Sequence, residues 1–243
     1  MGPVWKGFVE HVRSSIADYG EAFDAEIIGR GGLNGLQRLQ TQAGRIGFSA
    51  GYWAEAQTYE PDPVVSAMLS EHPDVQWWFR PVNDEQIVID SPHPEWLVND
   101  GGGWWVEPHG YPTLCQSVRG TGKVVREFCA DAHSGRPAAV QQLSHQYSGS
   151  RRYTITTPDD WMHLVDLHPI RRRIFRSYEF QRLEEIWIPD WRSAASDFDV
   201  ITLTVGGFAH TAYAPLITPQ GRSTMLCGWN PGESVVLNPW WTR

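Results

Sequence analysis

The chain has 243 residues, 41% of them hydrophobic and 20% charged, with a formal net charge of −8. That length can bury a sizeable core, no apolar run approaches the ~20 residues of a membrane span, and the acidic balance argues against nucleic acid as a partner, which needs a basic face. Of 20 basic residues only Lys6 and Lys123 are lysines, and 13 tryptophans supply large flat apolar surfaces of the kind used in bulky cores or in stacking flat ligands.

The first residues, MGPVWKGFVEHVRSS, mix charges into an apolar pattern and contain no continuous signal-type run. Cys115, Cys129 and Cys227 are odd in number and unpatterned. Both features point to a cytoplasmic protein with reduced, buried thiols.

In chain order, Val4, Phe8, Val12 and Ile16 recur at helical spacing and predict a helix over 3–19. The glycine-rich stretch around Leu33, Leu36 and Leu39 predicts a short helix between turns, and its GRGG lacks the Gly-Lys-Ser/Thr ending of a phosphate loop. Residues 45–59 read as extended in their first half. Asp62 as N-cap and Pro63 as first helical residue open the next helix, which Pro73 closes. VQWWFR (75–80) and QIVID (86–90) read as two strands of a hairpin joined by PVND. SPHPEW then forbids regular structure, and GGGWWVEPHGYP follows at 101–112.

Val124, Val125, Phe128, Cys129 and Ala132 predict a helix ended by Gly135, and RGTGK there fails the Walker A spacing. Thr157, Pro158 and Asp160 form an N-cap, an N1 proline and an acidic N3 for a helix through Trp161, Leu164 and Val165 that stops at Pro169. RRRIFRSYEF and LEEIWI read as strands around a turn, PDWRSAASDF as a short helix and DVITLTV as a central strand; GGF then turns the chain, and RSTMLC and ESVVL are two closing strands. The fold expected is α+β, a largely antiparallel sheet with several packed helices, as a single domain over 1–243.

No HExxH or CxxC pair is present, and His163 and His168, five apart, point to different sides of a helix, so no metal is expected. No G-x-S-x-G elbow supports nucleophilic catalysis. Glu184 and Glu185 would face opposite ways on a strand. Arg151, Arg152, Arg171, Arg172, Arg173 and Arg176 read either as a grip on an anion or as a solvated strand edge. The richest constellation runs from Trp77 to Tyr111. It combines Trp77, Trp78, Trp96, Trp104 and Trp105 with Arg80, His93, Glu95, Glu107 and His109. A carboxylate beside indole surface is poorly solvated, so its pKa rises toward the range in which it both takes and gives protons. An arginine in the same cavity would fix a substrate carboxylate.

Arginine, histidine and glutamate in that chain order, here Arg80, His93 and Glu107, resemble the β-carboline-forming Pictet–Spengler cyclases of actinomycetes, which condense tryptophan with an aldehyde. The resemblance implies Glu107 as the proton-transfer group, with Arg80 and His93 orienting substrate. Trp78, Trp104, Trp105 and His109 are the substrate-binding candidates beside them. The segment from Tyr153 to Trp241, with PDDW, IPDW and LCGWNPGES, resembles uncharacterised actinobacterial proteins. The leading expectation is therefore a cofactor-independent enzyme of bacterial specialised metabolism that uses carboxylate acid/base catalysis on a small aromatic substrate. Two alternatives stand beside it: a tryptophan-rich binding module without chemistry, and a transferase similar to NAD-using ADP-ribosyltransferases with Glu233 as its late strand carboxylate. Homo-oligomerisation is left open by the sequence.

Overall fold

A computed structural model describes residues 1–80, 86–89, 111–118, 123–125, 150–173 and 185–238. The first part is helical. Helix α1 (Pro3–Tyr19) starts on a proline and buries Val4, Trp5, Phe8, Val9 and Val12 along one stripe. Gly20 ends it in the left-handed region (φ 61°), where its N–H returns to the Ile16 carbonyl at 3.2 Å. Helix α2 (Leu33–Phe48) packs Leu36, Leu39, Ala43 and Ile46 into the same core. Helix α3 (Ala50–Thr58) follows after the single residue Ser49, and α4 (Pro63–Glu71) is capped by Asp62, whose side chain accepts from Val64 N and Val65 N.

The strands, in chain order, are β1 (Gln86–Ile89), β2 (Thr113–Val118), β3 (Lys123–Val124), β4 (Arg152–Ile155), β5 (Pro169–Arg173), β6 (Glu185–Pro189), β7 (Val200–Leu203), β8 (Leu216–Ile217), β9 (Ser223–Thr224) and β10 (Glu233–Val236). The main sheet runs β1-β2-β10-β7-β4 with β3 also on β2; β5 pairs with β6 and β8 with β9. All these pairs are antiparallel except β4 with β7. Register aligns Ile87, Cys115, Glu233, Leu203 and Ile155 in one row across five strands. On the opposite face the adjacent row includes Thr202 and Ser234, whose hydroxyls meet at 2.6 Å.

Helices α5 (Pro158–Leu167), α6 (Trp191–Asp197) and α7 (Val205–Thr211) lie between the later strands. At α5 the expected capping box is present, Thr157 and Asp160 satisfying each other's backbone N–H groups. One apolar core extends from Val4 to Leu237. The chain is thus α+β, and among the described residues no helix is long and apolar enough to cross a membrane.

Four local expectations are overturned. Residues 45–48 continue α2 rather than running extended, because Ile46 extends the buried stripe of Leu39 and Ala43 at helical spacing. Gln76–Phe79 form a 3₁₀ turn, not a strand. A single tight turn lets Trp78 enter the core while the Trp77 indole donates to the Gly31 carbonyl at 3.1 Å. Its expected hairpin with β1 is therefore replaced by pairing of β1 with β2. Gly206, Gly207 and Phe208 lie inside α7, capped by Thr204, where the sequence suggests a turn. Lys123 and Val124 pair with Val118 and Ser117 in a strand, so the predicted helix does not include them; residues 126–135 of that prediction lie outside the described residues.

Candidate functional site

The expected site runs from Trp77 to Tyr111, and most of its residues belong to the segment between β1 and β2. The register of β1 and β2 sets Ile89 opposite Thr113. The Pro112 carbonyl accepts from Val236 N at 2.9 Å, and Tyr111 packs partly buried against the core. The segment between β1 and β2 therefore leaves and rejoins the sheet at one end, the end that also holds Val200 and Val236. His93, Trp104, Trp105, Glu107 and His109 themselves lie outside the described residues.

Trp78 and Arg80 are described, and they occupy opposite environments. Trp78, expected to face a ligand, is fully buried. Its ring sits 6.0 Å from Phe8 and 6.4 Å from Trp77, and a Cβ added at Gly35 would come within 3.2 Å of it. It is a core residue, and its indole N–H has no hydrogen-bond partner among the described residues. Arg80 closes the same 3₁₀ turn on the solvent side. Its Nη2 donates to Gln76 Oε1 at 3.0 Å, a neutral partner, and it pairs with no carboxylate among the described residues.

The other described tryptophans also serve packing. Trp5, Trp161 and Trp229 are buried, and Trp53, Trp77, Trp187 and Trp191 pack partly buried against the same core. Their indoles offer little open surface for stacking a ligand.

A poorly hydrated carboxylate does exist among the described residues, at Glu233 in β10. It is 2% exposed and accepts from Asn230 Nδ2 at 3.1 Å. Such a group is tolerable inside a protein only with hydrogen-bond partners. As a strand carboxylate it stands in the place the transferase alternative gave it.

An open cleft of about 270 Å³ lies on α5, lined by Asp159, Met162, His163, Asp166, Pro219 and Gln220. Its inner acid is committed to structure. Asp166 accepts from Thr218 Oγ1 at 2.7 Å, Arg222 Nη1 at 2.6 Å and Gln220 N at 3.3 Å. Burial alone would raise this carboxyl, but these hydrogen bonds outweigh it and hold the group below its ordinary value. His163 is drawn onto Tyr153, with ring centroids 6.3 Å apart.

Of the arginine group, Arg151 pairs with Asp199 and Arg171 with Glu185, which is how a solvated edge behaves. Arg176 lies outside the described residues. Cys115 and Cys227 are buried, and burial pushes the Cys227 thiol up to about 12, which makes it a poor nucleophile. Among the described residues no group of three or more His, Cys, Asp or Glu side chains is placed to hold a metal ion. Comparison with protein-family models, with curated proteins and with solved structures finds no match for this chain.

Proposed function

We propose that this protein is a small-molecule enzyme of bacterial specialised metabolism that uses carboxylate acid/base catalysis on an aromatic, tryptophan-derived substrate, by a Pictet–Spengler type of condensation and cyclisation. The observation that carries the reading is Arg80: an exposed guanidinium whose hydrogen-bond partner is neutral, standing on the chain just ahead of the tryptophan-rich connection from β1 to β2. A fork of N–H donors without a carboxylate partner among the described residues is suited to a substrate carboxylate. In this reading Arg80 holds the amino acid by that group and His93 orients it, while Trp104, Trp105 and His109 are the candidates to bind its ring.

The chemistry then needs one proton-transfer group. The substrate amine adds to the aldehyde and loses water to give an imine. The indole carbon bonds to the carbon of the protonated imine as the C=N π pair moves onto nitrogen, and Glu107 removes the proton from that ring position to restore aromaticity.

The test is incubation of the chain with tryptophan and a small aldehyde, followed by mass spectrometry. The expected product has the mass of both reactants less one water. Glu107→Gln is expected to abolish it while calorimetry still detects tryptophan binding. Product formation no faster than without protein, or an unchanged rate in Glu107→Gln, would overturn the reading.

A further inference from the structure

Helix α6 carries Ser193 and Asp197 one helical turn apart, so both side chains lie on the same face. Facing them is His168, the residue that ends α5. Its Nδ1 is 2.8 Å from Ser193 Oγ, and its Nε2 is 3.3 Å from Asp197 Oδ2, off the line of a well-aligned hydrogen bond. The imidazole side chain is 4% exposed and that of Asp197 58% exposed, while Ser193 is open to solvent. The ring is held from another side by Phe198, edge-on at 6.0 Å, and the His168 carbonyl accepts from Asp190 N at 2.6 Å at the start of α6.

We infer that Ser193, His168 and Asp197 form a second chemical site, in which an imidazole activates a serine hydroxyl toward a small activated ester. The tautomer decides whether this works. A carboxylate beside Nε2 favours the proton there, which leaves the Nδ1 lone pair to accept the hydroxyl proton of Ser193. The roles are those of a nucleophile, a base and an orienting acid, with the two ring nitrogens exchanged relative to the usual serine hydrolase arrangement. Burial of the ring keeps water from competing at Nε2, and exposure of Ser193 lets an electrophile approach. A histidine that only ended a helix would need no exposed hydroxyl held against it, since Ser193 has water available.

The step balances without a cofactor. As Ser193 Oγ bonds to the ester carbonyl carbon, its proton passes to His168 Nδ1. The ester C–O bond then breaks and that proton leaves on the departing alcohol. Water, losing a proton to the same nitrogen, attacks the acyl-serine, releases the carboxylic acid and restores Ser193.

A fluorophosphonate reports on this directly, because attack forms an O–P bond and expels fluoride. The expected result is covalent labelling of the full-length protein at Ser193, located by peptide mass spectrometry and absent in Ser193→Ala. Asp197→Asn, a change at a side chain that is 58% exposed, is expected to slow labelling roughly tenfold or more, and His168→Gln roughly a hundredfold. Ser196, exposed on the same helix with its hydroxyl donating to the Ser193 carbonyl at 2.7 Å, is the internal control. Labelling of Ser193 no faster than of Ser196, or an Asp197→Asn rate equal to the parent's, would overturn the inference. The assay contains neither tryptophan nor aldehyde, so its outcome is independent of the condensation reading.

Discussion

Arg151 clamps Asp199 at the end of the main sheet where β4 and β7 begin. The Arg151 backbone N–H donates to Asp199 Oδ2 at 2.9 Å and its Nη2 to Oδ1 at 3.0 Å, where Asn238 Nδ2 also donates at 3.0 Å. The Arg151 side-chain hydrogen bond outweighs the effect of burial and pulls the Asp199 carboxyl from 3.8 to about 2. A depressed carboxyl favours folding while it is ionised, so its contribution is present above pH 3.8 and is lost as pH falls toward 2. Asp199→Asn is expected to lower the melting temperature at pH 6 and to make little difference near pH 2. A gap that stayed constant over that range would show that the charge is not what matters.

His210 has the opposite chemistry and gives a different window. It lies 5.0 Å from the Trp5 ring and 5.6 Å from Phe79, and burial there lowers its pKa from 6.5 to about 4. The folded state disfavours the imidazolium, so the stabilising effect is complete above pH 6.5 and declines as pH drops toward 4. The difference corresponds to at most ~3 kcal/mol. Thermal melts of the parent and of His210→Gln should therefore converge as the buffer is taken from pH 7.5 to 4.5, and parallel curves would contradict the assignment.

Trp161 ties α5 to β9. Its indole N–H donates to Thr224 Oγ1 at 3.0 Å, with both residues fully buried. Trp161→Phe leaves a buried hydroxyl without its donor and a void beside it, at an expected cost of about 2–3 kcal/mol. In a urea double-mutant cycle with Thr224→Val, about 1 kcal/mol should appear as coupling. Strict additivity would mean the hydrogen bond contributes nothing.

Arg80 offers a test of substrate choice. If it holds a carboxylate, Arg80→Ala should raise KM for tryptophan by about 10- to 100-fold, the value of a charge-assisted hydrogen bond. The effect on tryptamine, which lacks that group, should be small. Equal losses with both amines would remove Arg80 from carboxylate recognition.

Local chemistry determined much of the fold in advance. Asp62 and the Thr157–Pro158–Asp160 sequence begin helices where backbone N–H groups need partners, and those needs are met within a few residues of the chain. The β-branched run at Val200–Leu203 became the buried strand flanked on both sides that its composition indicates. The candidate site was less legible. The expected substrate contact at Trp78 is a core residue, and Arg80 two positions later is exposed, because a 3₁₀ turn rather than a strand carries both.

What the sequence determined by itself was the set of elements whose stability is local: caps, proline starts, helical stripes and the α+β class. Only the tertiary structure decided that Glu233 is buried in mid-sheet, that β1 pairs with β2 across a long connection, and that Ser193 and Asp197 meet His168. The physical reason is that strand pairing and side-chain convergence join residues far apart in the chain. Their free energy comes from partners that no local window contains, so spacing and propensity carry no trace of them.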